Sequence, residues 1–240
     1  MTLAVVGSGR SRTPRRTLRH GTPGSGHQWI VTTPGTEPDL WAEYLDGAQR
    51  SYGAHGVEGV AAVDEIADGA TTALLFAAVT DEGRVVGGIR TAGVLAQADD
   101  AVALGAWDGH PERARARAMF EDRVSFGVVE LKTGWVARDA PDRRRLTASL
   151  ARTPLHAALI LGARYGMGAG GGHSLRMWTA SGGVVARELA PVPFPDERYE
   201  THLVWWDRWV PCTTVTEDER RALDAETAQL VGVVSPAVAS

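Results

Sequence analysis

Residues 71–95 constrain the fold more than any other stretch. Residues 71–80 (TTALLFAAVT) are apolar and β-rich, Asp81-Glu82-Gly83 is turn chemistry, and residues 84–95 (RVVGGIRTAGVL) return as a second β-rich run. Two such runs around a short turn containing glycine predict an antiparallel hairpin. Residues 126–137 (FGVVELKTGWVA) predict a further strand, residues 141–165 a long helix, and residues 200–206 (ETHLVWW) a last strand. Upstream, residues 29–32 predict a first strand and residues 36–52 a helix. Pro38 suits the first turn of that helix, and Leu40, Trp41, Tyr44, Leu45 and Ala48 recur at helical spacing. Residues 97–123 predict two helical pieces parted at Gly109-His110-Pro111. Pro154 is expected to kink or restart the long helix, with Thr153 as its N-cap. Residues 166–172 (GMGAGGG) read as a glycine-rich loop and residues 174–180 (SLRMWTA) as a strand. Thr216 and Glu219 have the spacing of a capping box opening a C-terminal helix. A hairpin followed by strand, helix and strand predicts an α/β fold with a mixed, mostly antiparallel sheet flanked by helices.

Composition narrows the class. A 240-residue chain that is 44% hydrophobic and 22% charged can bury one sizeable core. The first 36 residues hold five arginines and no acid. Residues 1–27 therefore read as a flexible basic arm, residues 28–212 as the domain, and residues 213–240 as a C-terminal helix and tail. A net charge of −4 argues against a nucleic-acid-binding protein. The lone Cys212 excludes an internal disulfide, a cysteine zinc site and an iron–sulfur cluster, and fits a reducing cytoplasm. Seven histidines show no metal-ligand spacing, so no metal is expected. No run approaches the roughly 18 apolar residues of a membrane span. Arg15-Arg16-Thr17-Leu18 starts like a twin-arginine signal, but Arg19-His20-Gly21 follows where an apolar segment belongs. Val5-Val6-Gly7-Ser8-Gly9 starts like a dinucleotide loop, but Arg12 takes the third glycine's place. Of 25 basic residues, 24 are arginine and one, Lys132, is lysine. A GC-rich genome is the default reading of that bias.

Several motifs fall in a telling order. Arg50 precedes Tyr52-Gly53-Ala54-His55-Gly56. Asp64 and Asp68 follow, then Val85-Val86-Gly87-Gly88-Ile89-Arg90, then Val129-Glu130-Leu131. This order resembles the GNAT N-acyltransferase superfamily. More narrowly it is similar to the acyl-homoserine-lactone (autoinducer) synthases and the related N-acyl amino acid synthases, over roughly residues 29–207. The resemblance implies a GNAT-like domain that moves an acyl group from a thioester to the amine of a small, amino-acid-derived acceptor. Two departures stand out. The family spaces its acidic pair three apart rather than four. It also carries an arginine three residues beyond the strand glutamate, where this chain has Thr133, with Lys132 one residue earlier.

Acyl transfer to an amine needs a proton acceptor and donors aimed at the thioester oxygen. Glu130 lies in an otherwise apolar strand, a costly place for a carboxylate without a partner. Lys132, two residues on, points to the same face and is a candidate substrate-binding residue. Glu130 is thus the candidate proton acceptor or amine-orienting group, with Arg90 beside it. Asp64 and Asp68 are candidates for binding the acceptor's ammonium, organised by Arg50 and Arg90 or leaving these to hold an acceptor carboxylate. The alternative is a buried Arg90–Glu130 pair that only fixes strand register.

Acetyl-CoA-using GNAT enzymes cradle the diphosphate in a glycine-containing loop at a helix start. The corresponding residues 138–148 contain no glycine. The autoinducer synthases also lack that loop and take acyl groups from an acidic acyl-carrier protein. Arg138, Arg143, Arg144 and Arg145 are therefore candidates for docking a carrier protein or gripping a phosphopantetheine phosphate; a solvated helix start is the alternative. The expected donor is acyl-CoA or an acyl-carrier protein. The rival readings are a conventional acetyl-CoA acetyltransferase and a non-catalytic carrier-protein or metabolite binder; the presence of Glu130 counts against the second.

Overall fold

The 71–95 hairpin forms, and the sheet is built outward from it. The structure, a computed structural model, describes residues 17–21, 24–210 and 212–234. The strands are β1 (Leu18–His20), β2 (His27–Thr32), β3 (Leu74–Thr80), β4 (Val85–Val94), β5 (Val128–Val136), β6 (Tyr165–Gly171), β7 (Val184–Val185), β8 (Val192–Pro193) and β9 (Glu200–Asp207). The helices are α1 (Pro38–Gly53), α2 (Glu58–Ala61), α3 (Arg113–Val124), α4 (Arg143–Leu161), α5 (Leu175–Ala180) and α6 (Glu217–Val234). The sheet runs β1-β2-β3-β4-β5-β6-β9-β7, with β8 also on β9. Among the described residues only β5 and β6 are parallel neighbours, and α4 supplies the crossover that parallel strands require.

Alternation along β5 sorts its side chains. Val129 and Leu131 join Leu146, Leu150 and Ala157 of α4 in one core. Val128 joins Trp107, Phe120, Met167 and Trp205 beneath α3 and the 3-10 segment Val102–Trp107. On the face bearing Glu130 and Lys132, α1 covers β3, β4 and the far end of β5 through Trp41, Tyr44, Leu45, Leu75 and Trp135.

Four expectations are corrected. Residues 166–171 belong to strand β6, not a loop. Its glycines let neighbours approach: a Cβ on Gly166 would meet the Pro154 carbonyl at 2.7 Å. Residues 175–180 form helix α5 rather than a strand, fastened by Trp178 Nε1 donating to Ser174 Oγ and Thr179 Oγ1 donating to Leu175 O. Helix α4 runs through Pro154 without restarting. Its N-cap is Asp142, whose side chain accepts from the Arg145 amide. Finally, the domain takes in Leu18–His20 as a strand, where a flexible arm was expected to reach residue 27; residues 1–16, 22 and 23 of that arm lie outside the described residues. Thr216 Oγ1 accepts from the Glu219 amide as one half of the expected capping box, but the Glu219 carboxylate turns to Arg152.

Candidate functional site

β5 and β6 pair only where Val128–Glu130 face Tyr165–Met167. Beyond that point β5 continues on β4 and β6 on β9. The two strands part at Glu130, and a cleft of about 1460 Å³ opens there.

A bulge shapes the wall of this cleft. Gly88 faces Trp135, while Arg90 faces Lys132, so β5 carries one extra residue across this interval. Thr133 takes φ +54°, a conformation that costs a branched side chain energy and must be held by its surroundings. Two tyrosines of α1 hold it. Tyr44 donates to the Thr133 carbonyl at 2.6 Å and Tyr52 to the Gly134 carbonyl at 3.3 Å. The extra residue reverses strand parity, which brings Trp135 onto the same face as Glu130 and Lys132.

Glu130 is buried. Its two carboxylate oxygens accept the backbone amides of Val102 and Ala103, each at 2.9 Å. Among the described residues no Arg90–Glu130 ion pair forms, so the register-fixing pair is not what the strand uses. Arg90 donates instead to Thr72 Oγ1 at 3.3 Å. Its Nε, like Nε1 of Trp135, is buried without a protein partner, and both residues line the cleft. Buried donors of this kind are rarely left unpaired, so a ligand atom is the natural partner.

The electrostatics follow from burial against local charge. Burial pushes the Glu130 carboxyl up, against Lys132, the two amides and Arg90. Burial pulls the Lys132 ammonium down, helped by Arg90 and opposed by Glu130 and Glu65. Burial also lowers the Arg90 guanidinium and raises the Tyr52 hydroxyl to about 12. A carboxylate moved towards neutrality and an amine moved the same way share one strand face, a pattern typical of reacting sites.

Of the residues singled out from sequence, Arg50, Arg90, Glu130, Lys132, Arg138 and Arg143 line the cleft. Asp64 and Asp68 do not. Both are exposed, and Asp68 caps the Ala70 amide in a turn. Glu65, between them, is the acid that lines the cleft, in the 3-10 turn Asp64–Ile66 anchored by buried Ile66. Arg144 and Arg145 also lie off the cleft, and Arg145 pairs with Asp142. Among the described residues no group of three His, Cys, Asp or Glu side chains could hold a metal ion. No described helix is long and apolar enough to cross a membrane.

A mostly antiparallel sheet with one parallel pair that splays over a cleft is the GNAT fold, the fold of N-acyltransferases. Solved structures agree. The CoA-dependent acyl-homoserine lactone synthase MesI superposes with a TM-score of 0.53 at 15% identity, over 81% of this chain and 94% of that one. The CoA-dependent acyl-homoserine lactone synthase BjaI, solved with SAM and isopentyl-CoA, gives 0.50 at 14% identity, over 93% and 92%. At such identities the likeness is one of fold alone. No family model matches the chain. By sequence it is 45% identical over 179 residues to the uncharacterized protein Rv1356c of Mycobacterium tuberculosis, covering 75% of this chain and 68% of that protein. The uncharacterized protein Mb1391c of Mycobacterium bovis matches to the same extent. The chain belongs to the family of these mycobacterial proteins.

Proposed function

We propose that the protein is an N-acyltransferase that moves an acyl group from a thioester to the amine of a small amino-acid-derived acceptor, in the manner of the autoinducer synthases. The observation that carries this reading is a buried carboxylate, Glu130, set where two strands part, on one face with two cations, Arg90 and Lys132. Like charges facing each other across a ladder are unfavourable unless an anion joins them. An acceptor carboxylate supplies that anion, filling the free Arg90 Nε. Glu130, with its basicity raised, takes the proton that the amine loses as it attacks. Glu65 at the same cleft draws in the acceptor's ammonium, the role expected of Asp64 and Asp68.

The donor side is supported by Arg138 and Arg143 at the cleft. The start of α4 already has an acid, Asp142, as its cap. An N-terminus capped by a carboxylate is a poor cradle for a diphosphate. Arginine side chains gripping a phosphopantetheine phosphate fit better, which favours a carrier protein over free CoA.

The test is incubation with a panel of acyl-CoA and acyl-carrier-protein thioesters plus mixed amino acids, with N-acyl products read by mass spectrometry. Glu130→Gln is expected to lower kcat by roughly 10²–10⁴ with KM little changed. A loss below about threefold ends the proton-acceptor role. Asp64→Asn, off the cleft, leaves the rate within about twofold.

A further inference from the structure

The only lysine in 240 residues stands inside the cleft. Lys132 is half-buried on the face of Glu130 and lies directly across the ladder from Arg90. Its ammonium makes no ion pair or hydrogen bond among the described residues; it feels Glu130, Arg90 and Glu65 only through space. Two physical conditions turn a lysine into a nucleophile: removal from water and a second cation close by. Lys132 meets both. Its lowered basicity is their consequence.

We infer that Lys132 is a self-acylation site: when no acceptor amine occupies the cleft, its amine takes the acyl group from the bound thioester. The inference rests on the acyl-transfer reading of the cleft. The neutral Nζ attacks the thioester carbonyl carbon, a C–N bond forms and the C–S bond breaks. The thiolate leaves and is protonated, while the proton lost by nitrogen passes to the Glu130 carboxylate and on to water. The product is an N-acyl lysine amide and a free thiol. The amide removes one of the two cations facing each other across β4 and β5 and fills the acceptor's place. Self-acylation therefore switches the cleft off when donor accumulates without acceptor, and an arginine at this position could not serve.

A single lysine makes the experiment clean. The full chain is incubated with short- and medium-chain acyl-CoA and acyl-pantetheine thioesters, without acceptor, and its intact mass followed. The expected result is a gain of one acyl group that resists hydroxylamine and abolishes cleavage by a lysine-specific protease. It is absent from Lys132→Arg, slowed by acceptor amines, and faster by at least about tenfold than acylation of a free peptide spanning residues 128–136. If an added amine is acylated while Lys132 stays unmodified, the inference falls and the acyltransferase reading stands. Acylation no faster than in the peptide also overturns it. If neither an amine nor Lys132 is acylated by any thioester, both fall together.

Discussion

Gly47 sits in the middle of α1, where alanine would raise helix propensity by about 1 kcal/mol. The structure reverses that expectation. A Cβ at Gly47 would lie 2.1 Å from the ring of Trp135, which is buried and packed on Tyr44. The ring cannot swing away without loosening the wall of the cleft. Gly47→Ala is therefore expected to destabilise by about 1–3 kcal/mol, as overpacking does; a melting temperature unchanged or raised in a thermal scan would contradict this. At this scale the site was partly legible. Glu130, Lys132 and Arg90 announced themselves because a charge within an apolar strand needs a reason. The acids did not: Val57, Val60, Val63 and Ile66 recur every third residue, but the stretch folds as two short pieces, Glu58–Ala61 and Asp64–Ile66, so the repeat does not say that Glu65 rather than Asp64 or Asp68 meets the cleft. Only the anchoring of Ile66 decides it. Trp135 was hidden for another reason, since a one-residue bulge reverses strand parity and no motif in β5 marks it.

Helix α4 shows how an element survives a residue that should break it. Pro154 has no N–H, so the Leu150 carbonyl loses its ordinary helical donor. The Thr153 hydroxyl fills the gap, donating to Leu150 O at 2.7 Å. Thr153 is thus not the cap of a second helix but the patch that keeps one helix whole. Thr153→Val should cost about 1–3 kcal/mol, the penalty for a buried acceptor left unpaired. In a Pro154→Ala background the residue-154 amide again reaches Leu150 O, and the same substitution should cost measurably less. Urea unfolding of the four proteins closes this double-mutant cycle; equal costs in both backgrounds would refute the compensation. The hairpin and β5 were readable as long apolar, β-rich runs, and α1 by the helical repeat of Leu40, Trp41, Tyr44, Leu45 and Ala48; the bulge inside β5 was not. β6 was not, because four glycines in a seven-residue strand carry no pattern; they serve the close approach of α4 and α5, which is information about partners rather than about the strand.

At the scale of the whole fold, the first described strand, β1, and the last described helix, α6, hold each other. Leu230 of α6 is fully buried in the core under α4 and β1, and the Gln229 side chain bonds both the amide and the carbonyl of Gly21. Beneath this contact lies a buried ion cluster. Arg152 binds Glu226 through two nitrogens and Glu219 through Nη1, while His156 Nε2 meets Glu226 at 2.9 Å. Neighbouring His20 has both ring nitrogens buried without partners. Burial pulls the His20 imidazole down to about 3, with His156 adding to the effect. For Glu226 burial works upward, but Arg152 and His156 outweigh it and hold the carboxyl at about 2. Both shifts act in the same direction. An unfolded His20 takes up a proton below its ordinary value of 6.5, while the folded one stays neutral, so stability declines as pH falls from 6.5 towards 3. An unfolded Glu226 is protonated below 4.5, while the folded one stays ionised, so a second loss follows between 4.5 and 2. The protein should therefore lose stability in two acid limbs and gain nothing from either group above neutrality. Urea midpoints measured from pH 8 to pH 3 check this. His20→Phe should flatten the upper limb alone and Glu226→Gln the lower. Because Glu226 is removed from buried Arg152, the second variant should also be weaker at every pH, by about 3–5 kcal/mol. A single limb that neither substitution alters would show that the ion cluster beneath β1 and α6 does not govern acid unfolding.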